Sequence, residues 1–325
     1  MRILVVGAGA LGGYFGGRLL QAGQDVTFLV RRRRAAQLSA NGLIIRSPAG
    51  DAHLPSPTTL LAHQIKSPYD LVIVGCKAYD LEESIASFAP AVGPDTAILP
   101  LLNGLRHLDR LTERFGYRTV LGGLGRISAT LDEGGDILHL SQDHTLAFGE
   151  LDGVRSRRLD AIAAALATAG FDSRPSENIL QAMWEKWVHI ATLAGATSLL
   201  RASVGDIVRA GAQDVALELL NECSRIAAHN GFAPSPEALG RARAMVTAPD
   251  SPLTASLLKD IERGAPTEGD HILGDLLRRG RWSTADTVLL PLAYAQLRSY
   301  EARRTRVGAE AAPANCSPPE VALFA

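Results

Sequence analysis

Cysteine is scarce in this chain: Cys76, Cys223 and Cys316 are odd in number and widely spaced, and no C-x-x-C pair occurs. That excludes a disulfide framework and a cysteine-based metal site, and it fits a reducing cytoplasm. An excess of either charge is lacking too. Lysine and arginine number 33 against 34 aspartates and glutamates, a net charge of −1, so nothing draws the chain to nucleic acid or an anionic membrane. No apolar run approaches the ~20 residues that span a bilayer. The stretch from Ile3 to Val6 is too short for a secretory signal, since glycines follow at once. His139, His144 and His189 have no metal-ligand spacing. Small-molecule chemistry is what remains. A length of 325 residues suggests two domains, and a hydrophobic content of 46% is ample for their cores.

The chain opens MRILVVGAGALGGYFGGRLLQAGQDVTFLVRRRR. Ile3 to Val6 reads as a strand, and Gly7, Gly9 and Gly12 follow in the spacing G-x-G-x-x-G, the context a dinucleotide-binding turn requires. Gly7 allows the tight turn, Gly9 admits a pyrophosphate close to the backbone, and Gly12 lets the next helix pack on the strand. Phosphates would sit over the N-terminus of that helix, Ala10 to Ala22, where free N–H groups and the helix dipole favour an anion. Gly23 ends it, and Asp25 to Val30 reads as the second strand. A site for NAD would place a carboxylate at the end of that strand for the ribose 2′-hydroxyl. Here Arg31 follows Val30, and a guanidinium suits a 2′-phosphate, so the residues point to NADP(H). Arg32, Arg33 and Arg34 read as a solvated face.

Further along, Leu43 to Arg46 and His53 to Leu54 read as short strands around the turn Ser47-Pro48-Ala49-Gly50. Asp70 to Gly75 reads as a buried central strand, with Lys77-Ala78-Tyr79-Asp80 at its carboxyl end, where open parallel sheets bind ligands. Leu81 to Phe88 reads as a helix and Ala97 to Leu102 as a strand leaving through Asn103-Gly104. Thr119 to Gly123 forms another strand, and Ile137 to Leu140 with Thr145 to Phe148 an antiparallel pair. From about Val154 the pattern turns helical: 155 to 169, then 178 to 200 with Trp184 and Trp187, then 204 to 211, 215 to 230, 236 to 246, 254 to 263, 267 to 278 and 284 to 304. The expected division is a dinucleotide-binding domain over 1–173, a helical substrate domain over 174–307 and a loose tail over 308–325.

A reductase needs a group that polarises the carbonyl and a proton source for the alkoxide. One cation can do both. Lys186 interrupts the apolar, aromatic-flanked segment Met183-Trp184-Glu185-Lys186-Trp187, where a charge is costly, and desolvation would bring its pKa toward neutrality. The alternative is a surface lysine beside Glu185 with its stem on Trp187. Glu268, with Thr267 as a candidate N-cap, starts a helix where its carboxylate could pair with Lys186 or hold a substrate hydroxyl. Asn103 offers an amide donor and acceptor between cofactor and substrate, or is an ordinary Asn-Gly turn. Lys77 could reach a cofactor phosphate or ribose.

In order along the chain, GAGALG at 7–12, Arg31, CKAYD at 76–80, LNG at 102–104, WEKW at 184–187, and S-x-x-x-D with TEGD over 256–270 resemble the ketopantoate reductase family over about residues 1 to 300. The resemblance implies an α/β chain: an N-terminal Rossmann dinucleotide-binding domain followed by an all-helical domain, with the active site between them. It also implies a cytoplasmic enzyme that reduces 2-dehydropantoate to pantoate with NADPH, in pantothenate biosynthesis. Gly7, Ala8, Gly9, Ala10, Leu11, Gly12 and Arg31 match the cofactor-binding positions, with Lys77, Asn103, Ala129 and Glu268 also on the cofactor side. Lys186 matches the catalytic proton donor, Ser256 a substrate-contacting serine, and Glu268 the acid joining cofactor and substrate. The partner implied is a 2-oxoacid, and a helical domain of this size is compatible with a homodimer.

Three positions depart from the family pattern. Ile190, Ala194 and Leu253 stand where the family typically has pocket asparagines, and helical spacing sets the first two on the face of Lys186. An apolar pocket discriminates weakly against an altered hydroxyl, so selection for ketopantoate should be weaker here. His189 and Thr197 could restore some polarity to that face. Other readings remain open: a reductase of a different 2-oxoacid, a noncatalytic NADP-binding regulator, or a β-hydroxyacid dehydrogenase.

Overall fold

The computed structural model describes residues 1–281 and 287–311, with side chains as far as 308. The N-terminal part runs β1 (Arg2–Val6), α1 (Ala10–Gln21), β2 (Asp25–Leu29), α2 (Arg32–Asn41), β3 (Leu43–Arg46), β4 (Ala52–Leu54), β5 (Thr59–Leu60), β6 (Leu71–Val74), α3 (Leu81–Phe88), β7 (Ala97–Pro100), α4 (Arg106–Phe115), β8 (Leu121–Leu131), β9 (Ile137–Glu150), α5 (Arg157–Leu166) and β10 (Asp172–Pro175). Helices follow: α6 (Ile179–Leu200), α7 (Val204–Arg209), α8 (Gln213–His229), α9 (Pro236–Val246), α10 (Ser256–Glu262), a π-turn over Asp270–Gly274, α11 (Asp275–Gly280) and α12 (Leu289–Ala311). The fold is thus α/β, a Rossmann sheet followed by a helical region.

The first sheet is parallel throughout, in the order β5-β2-β1-β6-β7. Ile3, Leu4 and Val5 of its central strand are fully buried, as are Leu71 to Val74, because helices cover both faces of such a sheet. The register aligns Val6 with Leu29 and with Val74, and Val74 with Pro100. The strands therefore stop together. Their carboxyl ends set Gly7, Arg31, Gly75 and the Asn103 turn along one edge, where doubly wound sheets bind ligands.

A second sheet, β10-β9-β3-β4 with β8 on the other edge of β9, corrects the expected pairing of 137–140 with 145–148. Both segments belong to the single strand β9, which pairs antiparallel with β8. The turn sits instead at Asp132 to Gly135, where Gly135 takes φ +86° and its N–H donates to the Asp132 carbonyl. Helix α2 also lay hidden under its arginines, anchored by the buried Leu38.

The join between sheet and helices is made by glycine. On β8, a Cβ at Gly122 would lie 2.8 Å from Ile179 of α6, and one at Gly123 only 2.1 Å from the Pro100 carbonyl oxygen. With no side chains there, α6 lies directly against the strand. Trp184 and Trp187 of α6 are buried in a core that runs from Leu4 and Val74 of the sheet to Leu297 of α12. The N-terminus of α12 is held by the buried Glu222, whose carboxylate accepts from the N–H groups of Val288, Leu289 and Leu290 at 2.7–2.9 Å. A carboxylate suits that end of the helix. Residues 308–311 continue α12; the rest of the expected tail lies outside the described residues. No helix among the described residues is long and apolar enough to cross a membrane.

Candidate active site

The glycine turn has the geometry that an anion cradle needs. Gly7 adopts φ +89°, a conformation costly for other residues. A Cβ at Gly12 would lie 2.1 Å from the Gly7 carbonyl oxygen, and one at Gly75 2.7 Å from the Gly12 Cα, so strand, turn and helix α1 meet through bare backbone. At Gly9, the N-cap of α1, a Cβ would meet nothing within 4 Å. That space opens in front of Ala10 and Leu11, at the helix N-terminus, and fits a dinucleotide pyrophosphate. Arg34 corrects the solvated-face reading. Half-buried, it donates from Nε to the Ala8 carbonyl at 3.0 Å and from Nη1 to Gly135 at 2.9 Å, tying the turn to the β8–β9 hairpin. Burial pushes its pKa down, opposed by Asp136. Arg31 caps α2 at the end of β2, held by Asp80 and Glu83.

In the helical region, Lys186 projects from α6 toward β8, and its Nζ donates to the Gly125 carbonyl at 2.6 Å. Burial, assisted by the Arg126 charge and opposed by Glu268, brings its pKa down to about 8. Its neighbour Glu185 turns away to accept from the Ser235 N–H at 3.0 Å, so the surface-lysine alternative does not describe this side chain. Trp187 donates from Nε1 to the Ile272 carbonyl at 2.9 Å. Lys186 lines a narrow cleft with Asn103, Leu124, Met183, Trp187 and Ile190. The Asn103 turn is fixed by Gly104, at φ +78°, where a Cβ would lie 3.1 Å from the His271 carbonyl oxygen. Behind it the rings of His107 and His271 stack 5.6 Å apart, and burial holds both imidazoles below their ordinary pKa.

Glu268 corrects one expectation: it does not pair with Lys186. Its carboxylate is buried, accepting from Lys77 Nζ at 3.0 Å and from the Ala78 N–H at 2.9 Å. Asp260 adds a second acid 3.7 Å from Lys77. Burial pulls the Lys77 ammonium down, but Glu268 and Asp260 outweigh it and leave the pKa raised; burial raises that of Asp260. Thr267 is not a simple N-cap either. Its N–H and hydroxyl both donate to Glu301 of α12, at 2.6 and 2.8 Å, and Tyr294 donates to Asp270 at 2.5 Å. Thus α12 pins the TEGD segment from behind. Arg106 pairs with Asp270 at 2.7 Å, and Arg279 pairs with Asp109, so α4 is fastened to the same region.

Ser256 is exposed at the start of α10, one turn before Asp260 and so on its face. Ala129 lies farther along β8, past the irregularity after Ile127, apart from the residues lining the cleft. Of the three apolar departures only Ile190 lines the cleft. Ala194 is fully buried in the core, and Leu253 is 37% exposed, with its carbonyl accepting from the Val204 N–H at 3.0 Å. The reason is helical drift: positions four and eight beyond Lys186 rotate about 40° and 80° away from it. Thr197 is buried, donating to the Leu193 carbonyl and accepting from the Ala255 N–H, a packing role. His189 stays half-buried near Lys186, its pKa lowered by burial and by the Lys186 and Arg126 charges. Asp260, the Ala78 N–H and the Gly125 carbonyl carry no role that sequence reasoning identified. Only Asp260 left a signal, as the last residue of S-x-x-x-D.

Comparison with known proteins agrees with this fold. The family model described as ketopantoate reductase PanE/ApbA matches residues 3–153, and its C-terminal counterpart matches 178–301. Uncharacterized oxidoreductase YkpB of Bacillus subtilis (strain 168) is 36% identical over 305 residues, covering 94% of this chain and 100% of that protein. The crystal structure of 2-dehydropantoate 2-reductase from Geobacter metallireducens GS-15 superposes with a TM-score of 0.84 at 29% identity, over 92% of this chain and 99% of that one. D-mandelate dehydrogenase, solved with NADH and anilino(oxo)acetate, shares the fold with a TM-score of 0.83 at 22% identity, over 94% and 100% of the two chains.

Proposed function

The chain belongs to the ketopantoate reductase PanE/ApbA family, and on that premise we propose that it reduces a 2-oxoacid to the 2-hydroxyacid with NADPH, 2-dehydropantoate being the first candidate substrate. The observation that carries this reading is Lys186, a half-buried cation with a pKa near 8 that lines a cleft beside Asn103. An ammonium poised near neutrality both polarises a carbonyl and gives up a proton.

The residues divide the work. Gly7 to Gly12 and the N-terminus of α1 hold the pyrophosphate, and Arg31 answers the 2′-phosphate. A reduced nicotinamide bound there supplies the hydride. Lys186 donates to the C2 carbonyl oxygen, and as the alkoxide forms the Nζ–H bond breaks and the proton passes to that oxygen. Burial, which already favours the neutral amine, makes that transfer easier. Asn103 orients the substrate through its amide, and Ser256 reaches it from α10. Glu268 holds Lys77 and the Ala78 N–H, which keeps the cofactor-side loop against the helical region.

A steady-state assay of the purified protein with NADPH and a panel of 2-oxoacids tests this reading; turnover of at least one is expected, and turnover of none would sink it. Ile190 favours a second reading within the same chemistry. Its side chain in the cleft presents hydrocarbon where the family typically offers an amide, and that suits a 2-oxoacid with a less hydroxylated end. The same panel separates the two.

A further inference from the structure

The end of β2 holds a small charge cluster that the reaction scheme leaves unexplained. Arg31 Nη2 donates to Asp80 Oδ1 at 2.8 Å and to Glu83 Oε2 at 2.5 Å. Both bonds leave from one nitrogen, so among the described residues the Nε and Nη1 donors face no acceptor and stay available to a ligand. The acids come from a different crossover: Asp80 closes the turn after β6, and Glu83 lies in the first turn of α3. Their hydrogen bonds raise the Arg31 pKa further. The cluster is not sealed away, since the Arg31 and Glu83 side chains are 62% and 66% exposed and Asp80 31%. Arg32 and Arg33 are exposed beside it, while Arg34 is turned to the Ala8 carbonyl.

Charge arithmetic follows. A 2′-phosphate carries about −1.5 to −2 charges near neutral pH, as other phosphomonoesters do. At this edge it meets the Arg31 guanidinium, already engaged by two carboxylates, with the exposed Arg32 and Arg33 next along the chain. A bare ribose 2′-hydroxyl meets the opposite situation, because a carboxylate accepts its hydrogen bond, as the acid of an NAD-type site does. The acids thus act against the preference that Arg31 confers.

We propose that Asp80 and Glu83 are specificity-determining residues of the dinucleotide site, which temper the selection of the phosphorylated cofactor by Arg31 so that NADH is used as well as NADPH. This rests on the reading of the site as a nicotinamide-dependent reductase. Asp80 makes no side-chain capping bond to α3, so neutralising it leaves the helix start intact.

The test measures kcat/KM for NADPH and for NADH with one 2-oxoacid in the wild type, in Asp80→Asn, in Glu83→Gln and in the double variant. Thermal-shift titrations with NADP and NAD run alongside. Wild type should turn over both cofactors, and the NADPH:NADH ratio should rise by about 3- to 10-fold in the double variant, mostly through KM and less at high salt, as for exposed charges. Arg31→Gln should move the ratio the other way. A ratio that stays fixed or falls in the double variant overturns the inference while leaving the reductase reading standing. Should neither cofactor shift the wild-type melting temperature, both fall together. If the double variant fails to fold, the single variants decide on the same criterion.

Discussion

The glycine turn and the cleft beside α6 are built by opposite means. On the sheet side, Gly7, Gly9, Gly12 and Gly75 make a site from what they omit: open space at Gly9, and backbone contact between Gly75 and Gly12. On the helical side, Lys186, Trp187 and Ile190 of α6 make a site from what they insert, a desolvated cation among apolar neighbours. From Gly7 to Gly12 the first arrangement is local, and Gly75 closes it from the end of β6. The second exists only once distant elements pack around α6. The comparison teaches that the glycine turn is fixed by steric rules, whereas the proposed substrate side can be retuned one side chain at a time.

The sharpest test of this division is Lys186→Ala. It should lower kcat by about 10²- to 10⁴-fold, the usual worth of a positioned proton donor, while NADP affinity in a fluorescence titration stays within a few-fold. An equal loss of affinity would mean that the two are not separable. If Lys186 is the proton donor proposed above, the protonated amine is the working form for reduction. The rate should therefore hold below the Lys186 pKa of about 8 and fall about tenfold per pH unit above it. The reverse oxidation, which needs the neutral amine, should rise over the same range.

Gly122→Val probes the join. Its Cβ would press on Ile179 and Met183, lifting α6 and its lysine from β8, and a misplacement of 1 Å can cost about 10²-fold in rate. Cofactor titration should again change little, and a loss of binding larger than the loss of rate would contradict the placement. Ile190→Asn should have the smallest effect, raising kcat/KM for 2-dehydropantoate over an apolar 2-oxoacid by about 10-fold. An unchanged ratio would show that this side chain does not meet the substrate. Ala194→Asn would not serve the same purpose, because an amide there would be forced into a sealed core.

Legibility in the sequence followed the same divide. Helix α3 runs over Leu81–Phe88 and α9 over Pro236–Val246, as their patterns predict, and the glycine turn folds as its spacing requires. These features answer to neighbours within a turn or two. Arg34 was hidden in a run of four arginines, because what distinguishes it is the Ala8 carbonyl reached across space. The partner of Glu268 was misassigned for a similar reason. Lys77 lies 191 positions away along the chain, and no spacing rule connects a strand end to a helix start in another region. Ala194 shows the limit of helical periodicity. Helix α6 is packed on most of its circumference, with Ala191, Thr192, Ala194, Gly195 and Ala196 all buried, so sharing a nominal face with Lys186 does not put a residue in the cleft.

The bare backbone of β8 at Gly122 has one more consequence. It serves the molecule as a datum plane: α6 rests on peptide groups, whose thickness no ordinary substitution on the helix can alter, and Lys186 reaches back to that same plane at Gly125. Side chains farther along α6 are then free to vary, while the spacing between β8 and the ammonium of Lys186, the proposed proton donor, stays constant. A catalyst arranged this way can change what it reduces without relearning how.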